Sequence, residues 1–117
     1  MKKQETVFET VDRYGRSVRF RKVVYEKHLP ERPEMADYIQ EAACTVSDPD
    51  SEYREEDDAD ELSIRIYYRM GMGNDRYDKC LLKIPVYYDR ANEGEVATFY
   101  FTRRVTGGTL IWRRGQN

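Results

Sequence analysis

The chain has 117 residues, 39% of them apolar and 13% aromatic, with ten tyrosines and a formal net charge of -2. That length suits one domain able to bury a core without disulfide or metal support, and the apolar content excludes disorder of the whole chain. The opening MKKQETVFETV has two lysines and no apolar run behind them, so neither a signal peptide nor a membrane span is expected, and a cytoplasmic location follows.

The first 21 residues read as a small hairpin. Residues 6–12 (TVFETVD) and 17–21 (SVRFR) both alternate, and Arg13-Tyr14-Gly15-Arg16 between them has a glycine where a tight turn needs positive φ. Residues 23–29 predict a short helix, stopped by Pro30 and Pro33 and carrying the single histidine, His28. Pro33 suits the first position of a second helix, where Glu34 complements the dipole. From there Met35, Ile39, Ala42, Ala43 and Val46 form the apolar stripe of an amphipathic helix that stops at SDPD.

Charge is unevenly spread. Residues 48–61 hold nine of the 22 acids and one of the 20 bases, leaving the other 103 residues with a formal charge of +6. The body is therefore suited to a polyanionic ligand despite a calculated pI near 5.5. Lacking an apolar period, the acidic run predicts a mobile loop at about 48–61, either a solvated segment or a flap that mimics phosphate over the basic body.

Residues 62–70 (LSIRIYYRM) alternate again, with Leu62, Ile64, Ile66 and Tyr68 inward and Ser63, Arg65, Tyr67 and Arg69 on a basic outer face. Gly71, Gly73, Asn74 and Asp75 turn the chain into residues 79–88, where Pro85 lacks a ladder donor and predicts a bulge or an unpaired edge. Residues 94–104 (GEVATFYFTRR) alternate strictly: Val96, Thr98, Tyr100 and Thr102 share one face, and Ala97, Phe99, Phe101 and Arg103 the other. Thr106-Gly107-Gly108 then turns into a last strand, 109–113. The expected fold is α+β: a hairpin, two helices, then a four-stranded antiparallel meander with the helices on one face, all in one domain.

Several chemistries find no support. Cys44 and Cys80 stand outside any CxxC or Cys/His spacing, so reduced, buried thiols are expected and no zinc. No phosphate-cradling glycine loop, HExxH or Ser/His/Asp arrangement occurs, and neither metal nor cofactor is expected. What remains is proton-transfer and anion chemistry. His28 is the side chain suited to acid-base work near neutral pH, and Arg32 offers a planar fork for phosphate. Tyr100 and Thr102, or Thr98, supply hydroxyls on a strand. Arg65, Arg69, Arg103 and Arg104 form a candidate nucleic-acid footprint, with Tyr67, Tyr100 or Trp112 as stacking planes; a charged, tyrosine-rich sheet surface explains the same residues.

The order of the motifs YGRSVRF, YEKHLPERPEM, SDPDSEYRE, IYYR, EVATFYFTRR and GGTLIWRR over residues 12–114 resembles the phage and bacterial family of small barnase/EndoU/colicin/RelE-like domains. Those domains carry a W-x-x-H-I-like helix, R-H-P-E-L, D-P-D, a Y-Y-R strand and a V-x-T-A-Y strand. The resemblance implies a metal-independent endoribonuclease, a toxin or phage-borne effector, in which a ribose 2′-hydroxyl attacks the adjacent phosphate. His28 would move the proton, Arg32 would hold the phosphate, and Thr98, Tyr100 and Thr102 would contribute from the strand. Arg32-Pro33-Glu34 stands where the family has Arg-His-Pro-Glu, so the second histidine is absent, and Pro30 is added. The expected partners are RNA and an immunity or other protein, with no membrane. The alternatives are a non-catalytic protein- or nucleic-acid-binding module and a phage-encoded inhibitor that uses the acidic loop as a nucleic-acid mimic.

Overall fold

The computed structural model describes residues 5–55, 63–73, 77–89 and 91–115. Strands β1 (Thr6–Val11) and β2 (Ser17–Arg21) pair antiparallel across a turn in which Gly15 has φ 83°. The chain passes directly into helix α1 (Lys22–His28), then a 3-10 helix (Pro33–Asp37) and helix α2 (Ile39–Ser47). The expected single helix beginning at Pro33 is thus divided at Tyr38, whose φ of -130° is not helical. Tyr38 is instead used in the core, its ring 4.8 Å from that of Phe101 and its hydroxyl donating to the Gly73 carbonyl.

Six further strands follow: β3 (Ser51–Arg54), β4 (Ser63–Met70), β5 (Leu81–Tyr88), β6 (Gly94–Val96), β7 (Tyr100–Thr102) and β8 (Thr109–Arg113). They join β1 and β2 in one mixed sheet ordered β1-β2-β6-β5-β4-β3-β8, with β7 also on β5. The fold is α+β and dominated by this eight-stranded sheet. The β2–β6 pair is parallel, with Val18 opposite Gly94, and it welds the N-terminal hairpin to the rest. Among the described residues no helix is long and apolar enough to cross a membrane.

Three expectations are corrected here. Residues 51–54 are not a mobile loop but β3, paired to β4 on one side and β8 on the other; residues 56–62 lie outside the described residues. The four-stranded meander does not form, because β8 leaves its sequence neighbour and crosses to β3. Gly107 and Gly108, with φ 71° and 79°, make that entry, and a Cβ on Gly108 would stand 3.0 Å from the Arg54 carbonyl oxygen. On β4 the expected basic outer face is absent: Tyr67 is fully buried, as is its neighbour Tyr68 on the opposite face.

The strict alternation of residues 94–104 is also broken, and Pro85 explains how. Val86 faces Val96 while Leu82 faces Phe101, so four steps along β5 match five along its partner. The extra residue falls between β6 and β7, a bulge. The Pro85 carbonyl accepts from the Ala97 N–H at 3.0 Å. N–H and C=O of one residue in an antiparallel strand point to the same edge, so the donor that proline lacks faces this interruption. Val96, Phe99 and Phe101 all reach the core side in spite of their mixed parity, with Phe99 5.5 Å from Phe20 and Phe101 stacked on Tyr77 at 4.3 Å.

The core ends in a polar network near the first turn. Asp12, 4% exposed, accepts from the N–H groups of Tyr14 and Arg16, from Arg16 Nε at 2.6 Å and from the Tyr88 hydroxyl at 2.9 Å. Tyr88 in turn shares a 2.6 Å hydrogen bond with Tyr67. Burial pushes both phenols above their ordinary value. Burial alone would also raise the Asp12 carboxyl, but the bonds from Arg16, Tyr88 and Tyr14 outweigh it and leave it below 3.8.

Two predictions follow from this packing. A Cβ on Gly94 would lie 2.9 Å from side-chain carbons of Tyr88, Val18 and Val86, so Gly94→Ala is expected to lower unfolding free energy by about 1–3 kcal/mol in urea titrations. A carboxyl held low in the folded state contributes stability that is present above its unfolded pKa and lost as pH falls through its folded pKa. Asp12→Asn should therefore be less stable at neutral pH, by roughly 3–5 kcal/mol, and should lose less on acidification below its ordinary 3.8 than the wild type does; parallel melting curves against pH check this.

Candidate functional site

The main cleft forms where α1 meets the bulged strand. Helix α1 ends at His28, but the N–H groups of Glu31 and Arg32 still bond the His28 carbonyl, at 3.1 and 3.0 Å. Pro30 sits inside that turn, where the N–H it lacks does not enter those bonds, so the turn closes and sets Arg32 about one turn beyond His28. Both side chains are half-buried and line a cleft of about 580 Å³ with Lys27, Tyr87, Glu95, Thr98 and Tyr100.

Each wall has a local cause. The Arg32 guanidinium carbon lies 3.9 Å from the centre of the Tyr100 ring, a cation-π contact that orders a long side chain. Among the described residues it has no hydrogen bond from its guanidinium, so the N–H fork is open to a ligand. Lys83 Nζ stands 5.6 Å from the same ring and donates to Thr106 Oγ1 at 3.3 Å, which brings the β7–β8 connection over this side of the sheet. Thr98 Oγ1 points to Met35 Sδ at 3.7 Å. Glu95 accepts from Arg19 at 2.9 Å and pairs with Arg21 at 2.7 Å.

Glu95 is the functional candidate that sequence reasoning missed. Strict alternation puts positions 95 and 100 on opposite faces, whereas the bulge turns both to the cleft. Pro85 is the signal that reveals it, because a proline in a strand implies an interruption in its partner. Lys27 and Tyr87 were missed as well; Tyr87 lies directly opposite Glu95.

Of the expected site residues, the structure brings His28, Arg32, Thr98 and Tyr100 together. Thr102 stands apart, its hydroxyl donating to the Arg104 carbonyl at 3.3 Å. The candidate nucleic-acid arginines are dispersed. Arg65 faces Glu52 and donates to Ser63, while Arg69 is tied to Asp48. Arg103 lines a separate depression with Tyr77 and Lys79, and Arg104 is exposed. The start of the acidic run is equally engaged, since Asp48 and Asp50 clasp Arg114 at 2.8 and 3.0 Å. Cys44 and Cys80 are free thiols; Cys44 is exposed rather than buried, with Arg69 Nη1 3.3 Å from its sulfur. No three His, Cys, Asp or Glu side chains among the described residues gather as a metal site.

No family model, curated protein or solved structure matches this chain. The cleft is accordingly interpreted from its own chemistry: three basic groups, one ionic carboxylate already held by arginines, and two phenols around a space of about 580 Å³. Glu95→Gln removes the charge that draws Arg19 and Arg21 to β6. It is expected to cost roughly 1 kcal/mol of stability, because the pairs are partly solvated, with the gap between wild type and variant wider at low than at high salt, measured by urea unfolding at two ionic strengths.

Proposed function

We propose that the chain is a metal-independent endoribonuclease-like domain whose cleft takes one phosphodiester of RNA. The observation that carries this reading is the convergence of His28, Arg32, Tyr100 and Glu95 on one cleft from separate elements. Transphosphorylation needs a base for the 2′-hydroxyl, an acid for the leaving oxygen and a cation for the phosphate. The Glu95 carboxylate, paired with Arg19 and Arg21, accepts the 2′-hydroxyl proton as the O2′–P bond forms. His28 in its imidazolium form gives a proton to the 5′-oxygen as the P–O5′ bond breaks. Arg32, steadied by the Tyr100 ring, holds the non-bridging oxygens, and Tyr100 offers a hydroxyl beside them. The products are a 2′,3′-cyclic phosphate and a free 5′-hydroxyl. The carboxylate takes the place of the second histidine that the resembling family carries.

The test is incubation of total RNA with purified protein in excess chelator, with end-group analysis. The wild type is expected to leave cyclic phosphate ends, and His28→Ala to cut about 10²–10⁴-fold more slowly. RNA left intact by the wild type would sink the nuclease reading. A second reading, a binding module without catalysis, is favoured by one feature: the Glu95 carboxylate is already engaged by Arg19 and Arg21. That reading expects RNA to be retained and not cut, with affinity falling in Arg32→Ala and falling further as salt rises.

A further inference from the structure

A second cavity, of about 320 Å³, lies outside the cleft and is lined by Tyr14, Arg16, Glu52, Arg65, Asn92 and Ile111. Its floor holds an anomaly. Glu52 is fully buried, and its Oε1 takes Arg13 at 3.2 Å, yet among the described residues its Oε2 has no hydrogen bond. Arg65 Nε is the near cation, 3.5 Å away and beyond hydrogen-bonding contact. A buried carboxylate oxygen without a donor is costly unless something completes it.

The surrounding groups define what completes it. Arg13, Arg16 and Arg65 stand against Asp12 and Glu52, a formal surplus of one positive charge. Asp12 is saturated and serves to hold Arg16 across the Tyr88 ring, 3.9 Å from its centre. Arg13 is likewise held, over Trp112 at 4.1 Å. The cavity thus presents the guanidinium groups of Arg16 and Arg65 to an anion, with a buried carboxylate oxygen that lacks a donor in its wall. A bare anion leaves Oε2 unsatisfied and faces its charge, so the ligand must carry both an acidic group and an N–H or O–H. Tyr14 and Ile111, 58% and 39% exposed, add a flat apolar rim.

We infer that this cavity binds one ribonucleotide unit, its phosphate against Arg16 and Arg65, its base along Tyr14 and Ile111, and a hydroxyl or base N–H donating to Glu52 Oε2. The site is separate from the cleft and needs no cleavage to occur. Tyr87 lines the cleft, whereas Tyr88, on the opposite face of β5, is buried and bonds the Asp12 that holds Arg16. A free nucleotide and a nucleotide within an RNA strand share the chemistry described.

Titration calorimetry with uridine and guanosine 3′-monophosphates, inorganic phosphate and a tetraribonucleotide tests the inference. The wild type is expected to bind at least one mononucleotide at least about tenfold more tightly than phosphate, the value of one charge-assisted hydrogen bond. Glu52→Gln should reduce that advantage, and Arg65→Gln should weaken nucleotide and phosphate together, melting curves establishing that each variant folds. Should either fail to fold, Tyr14→Ala at the exposed rim is expected to weaken the nucleotide and leave phosphate unchanged. Binding of the tetraribonucleotide to His28→Ala protein no tighter than the mononucleotide identifies free nucleotide as the ligand, and tighter binding identifies a strand. Absence of mononucleotide binding, equal affinity for phosphate, or affinity unmoved in the folded variants would overturn the inference. Nucleotide binding alongside uncut RNA would uphold it while ending the nuclease reading.

Discussion

Pro85 sits in the interior strand of the sheet without an N–H, and the fold is arranged around that absence. A missing ladder donor in a central strand is tolerated where the partner strand also departs from the ladder, and β6 and β7 are separated at that position. The single extra residue reverses the parity of everything that follows Val96. It lets Phe99 pack on Phe20 while Tyr100 turns to Arg32, and it puts Glu95 on the same wall as Tyr100. One backbone defect thereby joins the core to the cleft, since the residue that interrupts pairing also decides which side chains are presented.

The two polar regions differ in how they keep charge. In the cleft, Glu95 and Arg32 remain partly solvated, so their interactions are modest in energy and available to a ligand. Asp12 and Glu52 are themselves buried, and a buried carboxylate is costly unless it is hydrogen-bonded. Burial raises the Glu52 carboxyl in spite of Arg13 and Arg65, whereas Asp12, with every lone pair engaged, stays low. The contrast between two carboxylates in one network marks the one that is structurally complete and the one that is not.

Local signals carried much of the chain into place. The glycine between two alternating runs, the apolar stripe from Met35 to Val46, and the His28–Arg32 spacing each depend on near neighbours, and each is visible in the residues. The class, an α+β domain built on one sheet, follows from the same cues. What stayed hidden is non-local. Nothing in SEYR distinguishes a strand from an acidic linker until β4 and β8 flank it, and an isolated Glu52 among acids gives no sign of burial. The arginines of β4 look like a surface because alternation alone does not report that both faces are covered. The proline was the one sequence feature that pointed to the broken strand, and its effect on facing required knowing which strand lay opposite.

The pairing of β8 with β3 has a temporal side. Ser51–Arg54 leaves the ribosome more than fifty residues before Thr109–Arg113, and its other edge waits for β4. Through that interval a short strand holding a carboxylate destined for the interior has no second edge partner, and joining distant segments pays loop-closure entropy before any contact forms. The clasp of Asp48 and Asp50 on Arg114 adds attraction between the two segments. Opposite charges at the two ends of a long closure favour their encounter, although as surface pairs they contribute little to equilibrium stability.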